Sequence, residues 1–365
     1  METRVYQCLY DYLISRYNSS TQPYVSWQDF FNLARRQGVL VLVWDVVSRL
    51  LSEEKISCEQ IPRNIKLQWA LSAEAVECRY EKQLTASERL AELWAEKGIQ
   101  TIVMKGFAIG TYYTNPAHRE SGDLDCFLTM ASTPVSSDGY ERGNQLCEQL
   151  GIMVSRGYYK DAKIHYRGLM VENHRFFLPI RGSRKMKALE KHLRSIALRG
   201  ERRFISGTKL IKPSADFNAL FLTAHGLGHF LSEGIKLRHI LDWALLLRAE
   251  QNNIDWEEFY KWTDRMNMTR FADALTAISI EHLGLEITNP AIHTTSPYAE
   301  RILHDTLYSS EGVFNKKASA WTKRLMLVRN KFSYGWKYHK IYQKSILVEL
   351  TRSVFAFLFE KNPKL

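Results

Sequence analysis

The sequence predicts an α+β protein in which a mixed sheet, with helices on one side, is flanked by an N-terminal and a C-terminal helical region. Apolar residues recur at helical spacing over the first 95 residues, and helical patterns return after residue 212. Between them, short runs of β-forming residues alternate with helical segments, which indicates a sheet and its connecting helices. We therefore expect three parts, at residues 1–95, 96–212 and 213–365.

The two helical regions are predicted from their start signals. Ser26, with Asp29 three residues later, is typical of a capped helix start. A long helix is expected at 65–97 and should pack against the core. In the C-terminal region Ser214 and Asp255 should cap helices in the same way. The helices expected there are 215–231, 236–250 and one that begins at 255, with later helices to 359.

The central part is expected to form the sheet. Its β-forming runs are short, and each is bounded by turn residues or by a helical pattern. The expected elements are, in order, a strand at 98–104, a helix at 106–113, a strand at 124–129, a helix at 137–150 and strands between 152 and 178.

Composition, charge and cysteines indicate a folded cytoplasmic protein. Of the 365 residues, 45% are hydrophobic and 24% are charged, which excludes an intrinsically disordered chain. The net charge of +11 fits a polyanionic partner such as a nucleotide, a nucleic acid or an acidic membrane face. Five scattered cysteines without a Cys-x-x-Cys pair fit a reducing cytoplasm. The longest apolar run, Val39–Val47, contains Asp45, so we expect no transmembrane segment.

The most informative stretch contains two closely spaced aspartates. A Lys-Gly turn at 105–106 precedes a short helical segment, and Arg119 then leads into Gly-Asp-Leu-Asp at 122–125. Side chains alternate along an extended strand, so Asp123 and Asp125 should point to the same face. Such a carboxylate pair suits Mg²⁺, which proteins usually hold with one or two carboxylates plus substrate phosphates. The pattern predicts phosphate chemistry on a nucleotide.

A third carboxylate, which a two-metal phosphoryl-transfer site normally needs, is expected at Glu172. It lies in a segment rich in β-forming residues, where alternation puts Glu172 and His174 on one face. The residues between Asp125 and Glu172 leave room for a helix and a return strand. We also expect His165 on a strand beside Glu172, as an accessory residue.

These motifs resemble those of a known superfamily. The Lys-Gly turn, the Arg-x-x-Gly-Asp-Leu-Asp step and the later Val-Glu-x-His strand are similar to the DNA polymerase β-type nucleotidyltransferases, and more narrowly to a bacterial branch of largely uncharacterised nucleotidyltransferases. The resemblance covers about residues 95 to 250 and implies a polymerase β-like core. It implies that Asp123 and Asp125 are the metal-binding acid pair. Glu172 would be the third acid, which helps hold the catalytic metal and activates the acceptor, and His174 matches a histidine of this branch.

The resemblance also implies where the nucleotide phosphates lie. The helix-opening turn that faces them matches Lys105 and Gly106, but the superfamily usually has Gly-Ser or Gly-Gly there, whereas Phe107 follows Gly106 in this sequence. The missing hydroxyl leaves Lys105 or Arg119 to contact the phosphates. We count Gly122 among the expected nucleotide-binding residues.

Other interpretations of the aspartate pair are possible. Haloacid dehalogenase-type phosphatases and some glycosyltransferases also use Asp-x-Asp, but they place it after a buried apolar strand. Here residues 117–122 are mostly polar, and the apolar run at 126–128 follows the pair, so the strand should begin at the acids. The plain structural alternative is a solvated Asp-Leu-Asp paired with Arg119.

A helix in the C-terminal region carries further polar residues of interest. His225 and His229 are spaced so that they could share a metal on one helix face, although a polar face lining the cleft is the simpler interpretation. Arg238 and Asp242 match a Leu-Arg-x-x-x-Asp step that this branch tends to carry. A pair between them would be structural, or Arg238 would help form a substrate wall as an accessory residue.

Taken together, the motifs predict a Mg²⁺-dependent enzyme, with two ions expected, that transfers a nucleoside monophosphate from an NTP to an acceptor hydroxyl and releases pyrophosphate. The acceptor could be a small molecule, a protein side chain or an RNA end. Two alternatives stay open: a nucleotide- or RNA-binding regulatory protein that has lost turnover, and a metal-dependent phosphoester hydrolase.

Overall fold

A computed structural model describes residues 2–19, 26–56, 60–131, 134–136, 138–157, 159–201, 203–205, 207–308, 335–349 and 351. It confirms the α+β class: a mixed sheet lies between helices from both ends of the chain. The helices that the sequence predicts within 309–334 and beyond 351 lie outside the described residues.

The N-terminal helices form as their sequence signals predict. Ser26 caps the second helix, because its hydroxyl accepts a hydrogen bond from the Asp29 N–H at 3.4 Å. Gly38 caps the C-terminus of that helix. Its φ of +69° is a left-handed backbone conformation, which glycine adopts more readily than other residues. The long predicted helix is present and spans 33 residues. The bounds are α1 Glu2–Ser19, α2 Trp27–Gln37, α3 Leu40–Ser52 and α4 Arg63–Ala95.

Seven strands form one mixed sheet in the described part of the chain, in the order β3-β4-β5-β2-β1-β7-β6. Two pairings are parallel, β2 with β5 and β1 with β7, and the other neighbours are antiparallel. The sequence did not predict β6 and β7, which are only two and three residues long. The bounds are β1 Ile99–Val103, β2 Leu124–Met130, β3 Met153–Ser155, β4 Asp161–Tyr166, β5 Leu169–His174, β6 Arg203–Phe204 and β7 Leu210–Lys212.

The two faces of β2 belong to different hydrophobic cores. Leu124, Cys126 and Leu128 pack in a smaller core with α4 and with the helix α6. Helix α6 approaches this strand closely, because a Cβ on Gly139 would lie 2.5 Å from the Leu128 carbonyl. Phe127 belongs to the larger core, which includes the C-terminal helices. The helices within this part are α5 Gly106–Gly110, α6 Asp138–Gln149 and α7 Arg184–Ile196.

The C-terminal helices cover the face of the sheet that carries Phe127. Ser214 and Asp255 cap their helices as predicted, by accepting hydrogen bonds from the N–H groups of Phe217 (3.1 Å) and Glu258 (2.9 Å). Among the described helices, none combines the length and the apolar character that crossing a bilayer requires. The bounds are α8 Ala215–Ser232, α9 Leu237–Glu250, α10 Trp256–Met266, α11 Thr269–Leu283 and α12 Ala299–Tyr308, followed by a π-helical turn at Lys337–Tyr342.

His118 joins the core to the N-terminal helices. Its Nδ1 lies 2.6 Å from Asp45 of α3, and its Nε2 lies 2.6 Å from Glu77 of α4. Burial opposes protonation, but the two carboxylates outweigh it and raise the pKa of His118. The imidazolium therefore stabilises this contact between the two regions.

We expect His118→Gln to remove a pH-dependent part of the stability. The folded-state pKa is raised, so the stabilisation is complete below the unfolded pKa of about 6.5 and is lost as the pH rises through the folded value. Denaturant unfolding at pH 6 should show a loss of about 1 kcal/mol, which shrinks at alkaline pH. His304→Gln, at an exposed histidine, is the control. An equal loss at both pH values would contradict the proposed charge state.

Candidate functional site

Parallel pairing of β2 with β5 brings two of the predicted acids together. Asp125 and Glu172 are direct neighbours in the register, and Asp123 immediately precedes β2. One ligand atom each from Asp125, Glu172 and His174 lie within 4.8 Å of one another, so these side chains could share a metal ion. Asp123 and Asp125 both line the adjacent cleft.

Asp125 is the most strongly held of these acids. Lys105 Nζ and His174 Nε2 each lie 3.0 Å from its Oδ1. Burial opposes ionisation of Asp125, but the charge of Lys105 and the hydrogen bond from His174 outweigh it and hold the pKa of this carboxyl well below its usual range. Asp125 is therefore a carboxylate at physiological pH.

Asp123 and His174 are shifted toward their neutral forms. Burial, and after it the negative charge of Asp125, raises the pKa of Asp123. Burial, and after it the charge of Lys160, lowers the pKa of His174. A neutral His174 donates its Nε2–H to Asp125 and so fixes the orientation of that carboxylate, as partners of metal ligands commonly do.

The turn at Lys105 and Gly106 has an unusual backbone conformation. Lys105 has a φ of +51° and ψ of −131°, a combination that strains a residue other than glycine, and Gly106 has a φ of +23°. A Cβ on Gly106 would lie 3.1 Å from the Ser121 Oγ. Ser121 also lines the cleft, so it brings a hydroxyl to the turn that lacks the serine usual in the resembled superfamily. Sequence reasoning missed Ser121, because it lies fifteen positions downstream.

The cleft lies between the sheet edge and the C-terminal helices. Its volume is about 450 Å³, within the range of small-molecule sites. The core contributes the two aspartates, the 105–106 turn and Gly122, whereas α8 and α9 contribute His225, His229, Arg238 and His239. The polar face of α8 thus lines the cleft. This agrees with the simpler interpretation of His225 and His229, in which they line the cleft without sharing a metal.

The two arginines of the cleft have different partners from those expected. Asp242 pairs with Arg119, at 3.0 Å from Nε and 2.7 Å from Nη2, and not with Arg238 as the sequence spacing suggested. Arg119 is almost fully buried, and this bidentate pair occupies much of its guanidinium. Arg238 donates from Nη1 to the Glu120 carbonyl at 2.7 Å, while its Nε has no partner among the described residues. Arg238 is therefore better placed than Arg119 to meet an anion.

The histidines of α8 form a hydrogen-bonded chain that ends in the cleft. His229 bonds through Nδ1 to Glu233, and its Nε2 lies 2.9 Å from the Nε2 of His225. Burial, and after it the charge of Lys105, lowers the pKa of His225 well below its usual value. Within the described residues, neither His225 nor His229 belongs to a group of three side chains that could hold a metal ion. The structure therefore does not support a metal site shared by these two histidines.

Strand β4 and the residue before it carry two further polar side chains, one away from the acids and one near them. His165 is exposed on β4, opposite Met170, and the structure does not bring it to the acids. Lys160 lies just before β4, and its charge acts on Asp125, Glu172 and His174. Sequence reasoning missed Lys160, because no motif marks it and only the pairing of β4 with β5 places it there.

Comparison with known proteins identifies the family. The model of a family described as "Uncharacterised nucleotidyltransferase" matches residues 23–284, which is most of the chain. The chain belongs to this family. The resemblance drawn from the 105–106 turn, the aspartate pair and the Glu172 strand is thereby confirmed.

Other comparisons of the uncharacterised nucleotidyltransferase chain are distant. Among curated proteins, none matches this chain. A crystal structure of an antigenic nucleotidyltransferase-like protein from Paracoccidioides brasiliensis is similar at 12% identity and a TM-score of 0.35, over 59% of this chain and 98% of that one.

Proposed function

We propose that this protein is a Mg²⁺-dependent nucleotidyltransferase that moves a nucleoside monophosphate from an NTP to an acceptor hydroxyl and releases pyrophosphate. The observation that carries the proposal is the placement of Asp125 beside Glu172 on parallel strands, with Asp123 at the same edge of a cleft. Family membership supports the nucleotide as substrate.

The donor set fits a hard divalent cation. Asp123, Asp125 and Glu172 offer carboxylate oxygens, which Mg²⁺ prefers, and Asp125 stays ionised because of Lys105 and His174. These three acids would hold the metal ions. We expect two ions, as in other two-metal phosphoryl-transfer sites. Bound there, Mg²⁺ would neutralise phosphate charge and lower the pKa of the acceptor hydroxyl.

The residues of the chain perform the remaining tasks. The oxygen of the acceptor forms a bond with the α-phosphorus, while the bond from that phosphorus to the bridging oxygen of the leaving pyrophosphate breaks. Glu172, a quarter exposed and next to Asp125, accepts the hydroxyl proton. Lys105 and Arg238 stabilise the charge that develops on the phosphates, and Ser121 supplies a hydroxyl at the turn.

The first test is Mg²⁺-dependent nucleotide binding. We expect one or more of ATP, GTP, CTP and UTP to raise the thermal unfolding midpoint in the presence of Mg²⁺ and not in EDTA, because a ligand that binds only the folded state stabilises it by mass action. Arg238→Met should weaken this binding about 10-fold, as loss of a charged hydrogen-bond donor implies. Arg142→Met, at an exposed position of α6, is the control. Equal binding by wild type and Arg238→Met would remove Arg238 from the phosphate site.

The product of turnover separates transfer from hydrolysis. Release of pyrophosphate from the bound NTP supports nucleotidyl transfer, whereas release of orthophosphate supports a phosphoester hydrolase that uses the same acids. Nucleotide binding without either product supports a regulatory protein that has lost turnover. The free thiols Cys8, Cys78, Cys126 and Cys147 are consistent with a reducing cytoplasm as the place of the reaction.

A further inference from the structure

A second cavity lies on the other side of the α8 histidines. It has a volume of about 380 Å³ and is lined largely by apolar side chains, among them Leu178, Met186, Leu227 and Met268. This volume is within the range of small-molecule sites. The cavity comes from parts of the fold that are distant in sequence: the segment after β5, α7, α8 and the junction between α10 and α11.

The second cavity adjoins the cleft. His225 and His229 line both spaces, and so do Ser232 and Glu233 at the end of α8. A molecule in the second cavity therefore meets the cleft at the histidine chain, whereas Arg238 and Lys105 line the cleft and not the second cavity. An acceptor has to reach the α-phosphorus from the side opposite the leaving pyrophosphate, so a site that adjoins the cleft without sharing its Lys105 and Arg238 suits an acceptor.

Lys160 gives the second cavity a positive charge. Its backbone carbonyl accepts a hydrogen bond from the Arg175 N–H at 2.7 Å, which fixes it next to the end of β5 that carries His174. Lys160 lines the cavity, and its ammonium forms no hydrogen bond or ion pair with the described parts of the chain. Burial, and after it the charge of Lys105, lowers the pKa of Lys160. Burying this cation is costly. The charges of Asp125, Asp161 and Glu172 offset part of the cost, but none of the described carboxylates pairs with the ammonium, so an acidic ligand would relieve the remainder.

We propose that the second cavity binds the acceptor of the transfer, and that this acceptor is a small alcohol with an apolar body and an acidic group. The apolar side chains contact its body, Lys160 pairs with its acidic group, and its hydroxyl enters the cleft beside His225. The inference rests on the proposed function, since only a transferase has an acceptor. It selects the small molecule among the three kinds of acceptor, because the cavity has the volume of a small-molecule site, its lining is largely apolar, and Lys160 forms no hydrogen bond or ion pair there with the described residues.

The test uses probes that share one apolar body and differ in their polar end. Octanoate, octanol and octylamine are titrated into the full-length protein by calorimetry. We expect octanoate to bind most tightly, octanol more weakly and octylamine least, because only octanoate can pair with Lys160. Lys160→Met should weaken octanoate about 10-fold and leave octanol unchanged. Tighter or equal binding of octylamine would overturn the assignment of an acidic ligand.

A variant that fills the cavity shows where the probes bind. Gly228 lines the second cavity within α8, and a Cβ there would meet nothing within 4 Å. Gly228→Leu should therefore fold, because leucine favours helix, and should lose binding of octanoate and octanol at least about 10-fold. Gly157→Leu, which also has open space around its Cβ but lies outside the cavity, is the matched control. Unchanged binding by Gly228→Leu would show that the probes bind elsewhere and would overturn the proposal.

A last pair of measurements separates this proposal from the nucleotide site. Asp125→Asn should retain octanoate binding, since Asp125 does not line the second cavity. With wild type, octanoate and a Mg²⁺–NTP should bind together, as donor and acceptor must. Competition between them would show that the cavity is part of the nucleotide site and overturn its role as acceptor site. If no NTP binds, the proposed function fails, while the octanoate data still decide whether the cavity takes an acidic amphipathic ligand.

Discussion

Asp125→Asn and Asp123→Asn should both abolish nucleotidyl transfer, but they should change stability in opposite directions. Each removes a carboxylate that would hold the cation, so turnover should fall at least about 100-fold in either variant. Asp125 has a lowered pKa and two partners, Lys105 and His174, and loss of its charge should destabilise the fold by roughly 2–3 kcal/mol, as loss of a hydrogen-bonded charge implies. Asp123 has a raised pKa, so removing its charge should raise the unfolding midpoint.

The contributions of Asp125 and Asp123 to the free energy of unfolding should also depend on pH in opposite ways. Asp125 contributes stability above its unfolded pKa of about 4, and this is lost only as the pH falls through its much lower folded value. Asp123, with its raised folded pKa, costs stability when ionised; this cost shrinks as the pH falls through the folded value and is gone below the unfolded pKa of about 4. Thermal unfolding without nucleotide measures both effects, and Asp138→Asn, at an exposed carboxylate of α6, is the control. Retained turnover in either variant would refute the metal-binding role, and equal stability changes would refute the electrostatic account.

Asp242→Asn should cause the largest loss of stability among single polar substitutions at the cleft. Asp242 is buried and receives hydrogen bonds from Arg119 and from the Tyr113 hydroxyl (2.7 Å). Burial opposes its ionisation, but Arg119 outweighs this and lowers the pKa of Asp242. Without this carboxylate, Arg119 is left as a buried charge without its main partner, which costs about 3–5 kcal/mol. Denaturant unfolding measures the loss.

Two further variants decide whether the loss comes from the pair itself. The double variant Arg119→Met/Asp242→Leu should recover much of the stability, because replacing both members of a buried pair by apolar residues leaves no uncompensated charge. Glu286→Gln, which breaks an exposed pair with Arg4, should cost at most about 1 kcal/mol. A similar cost for Asp242→Asn and Glu286→Gln would contradict the buried-pair explanation. Because Asp242 is on α9 and Arg119 is in the core, a large loss would show that this pair holds the two sides of the cleft together.

The elements predicted with success are those whose signals are local. The caps at Ser26, Ser214 and Asp255 are present, because a side-chain oxygen near a free helix N–H needs only a few neighbouring residues. Alternation along β2 likewise put Asp123 and Asp125 at one cleft, since the period of a strand is fixed by its backbone. The short strands β6 and β7 escaped prediction, because two or three residues carry no measurable period and depend on pairing with β1 and with each other.

The sequence by itself determined the α+β class, the order of most elements and the resemblance that the family comparison confirmed, and it marked the acid residues on which the proposed function rests. Only the tertiary structure decided that Arg119 pairs with Asp242, leaving Arg238 the more available arginine, that Ser121 lies against Gly106, and that Lys160 enters a second cavity. These contacts join residues far apart in the chain. Their geometry follows from how the sheet and the C-terminal helices pack, and packing of distant segments leaves no period or spacing in the sequence from which it could be read.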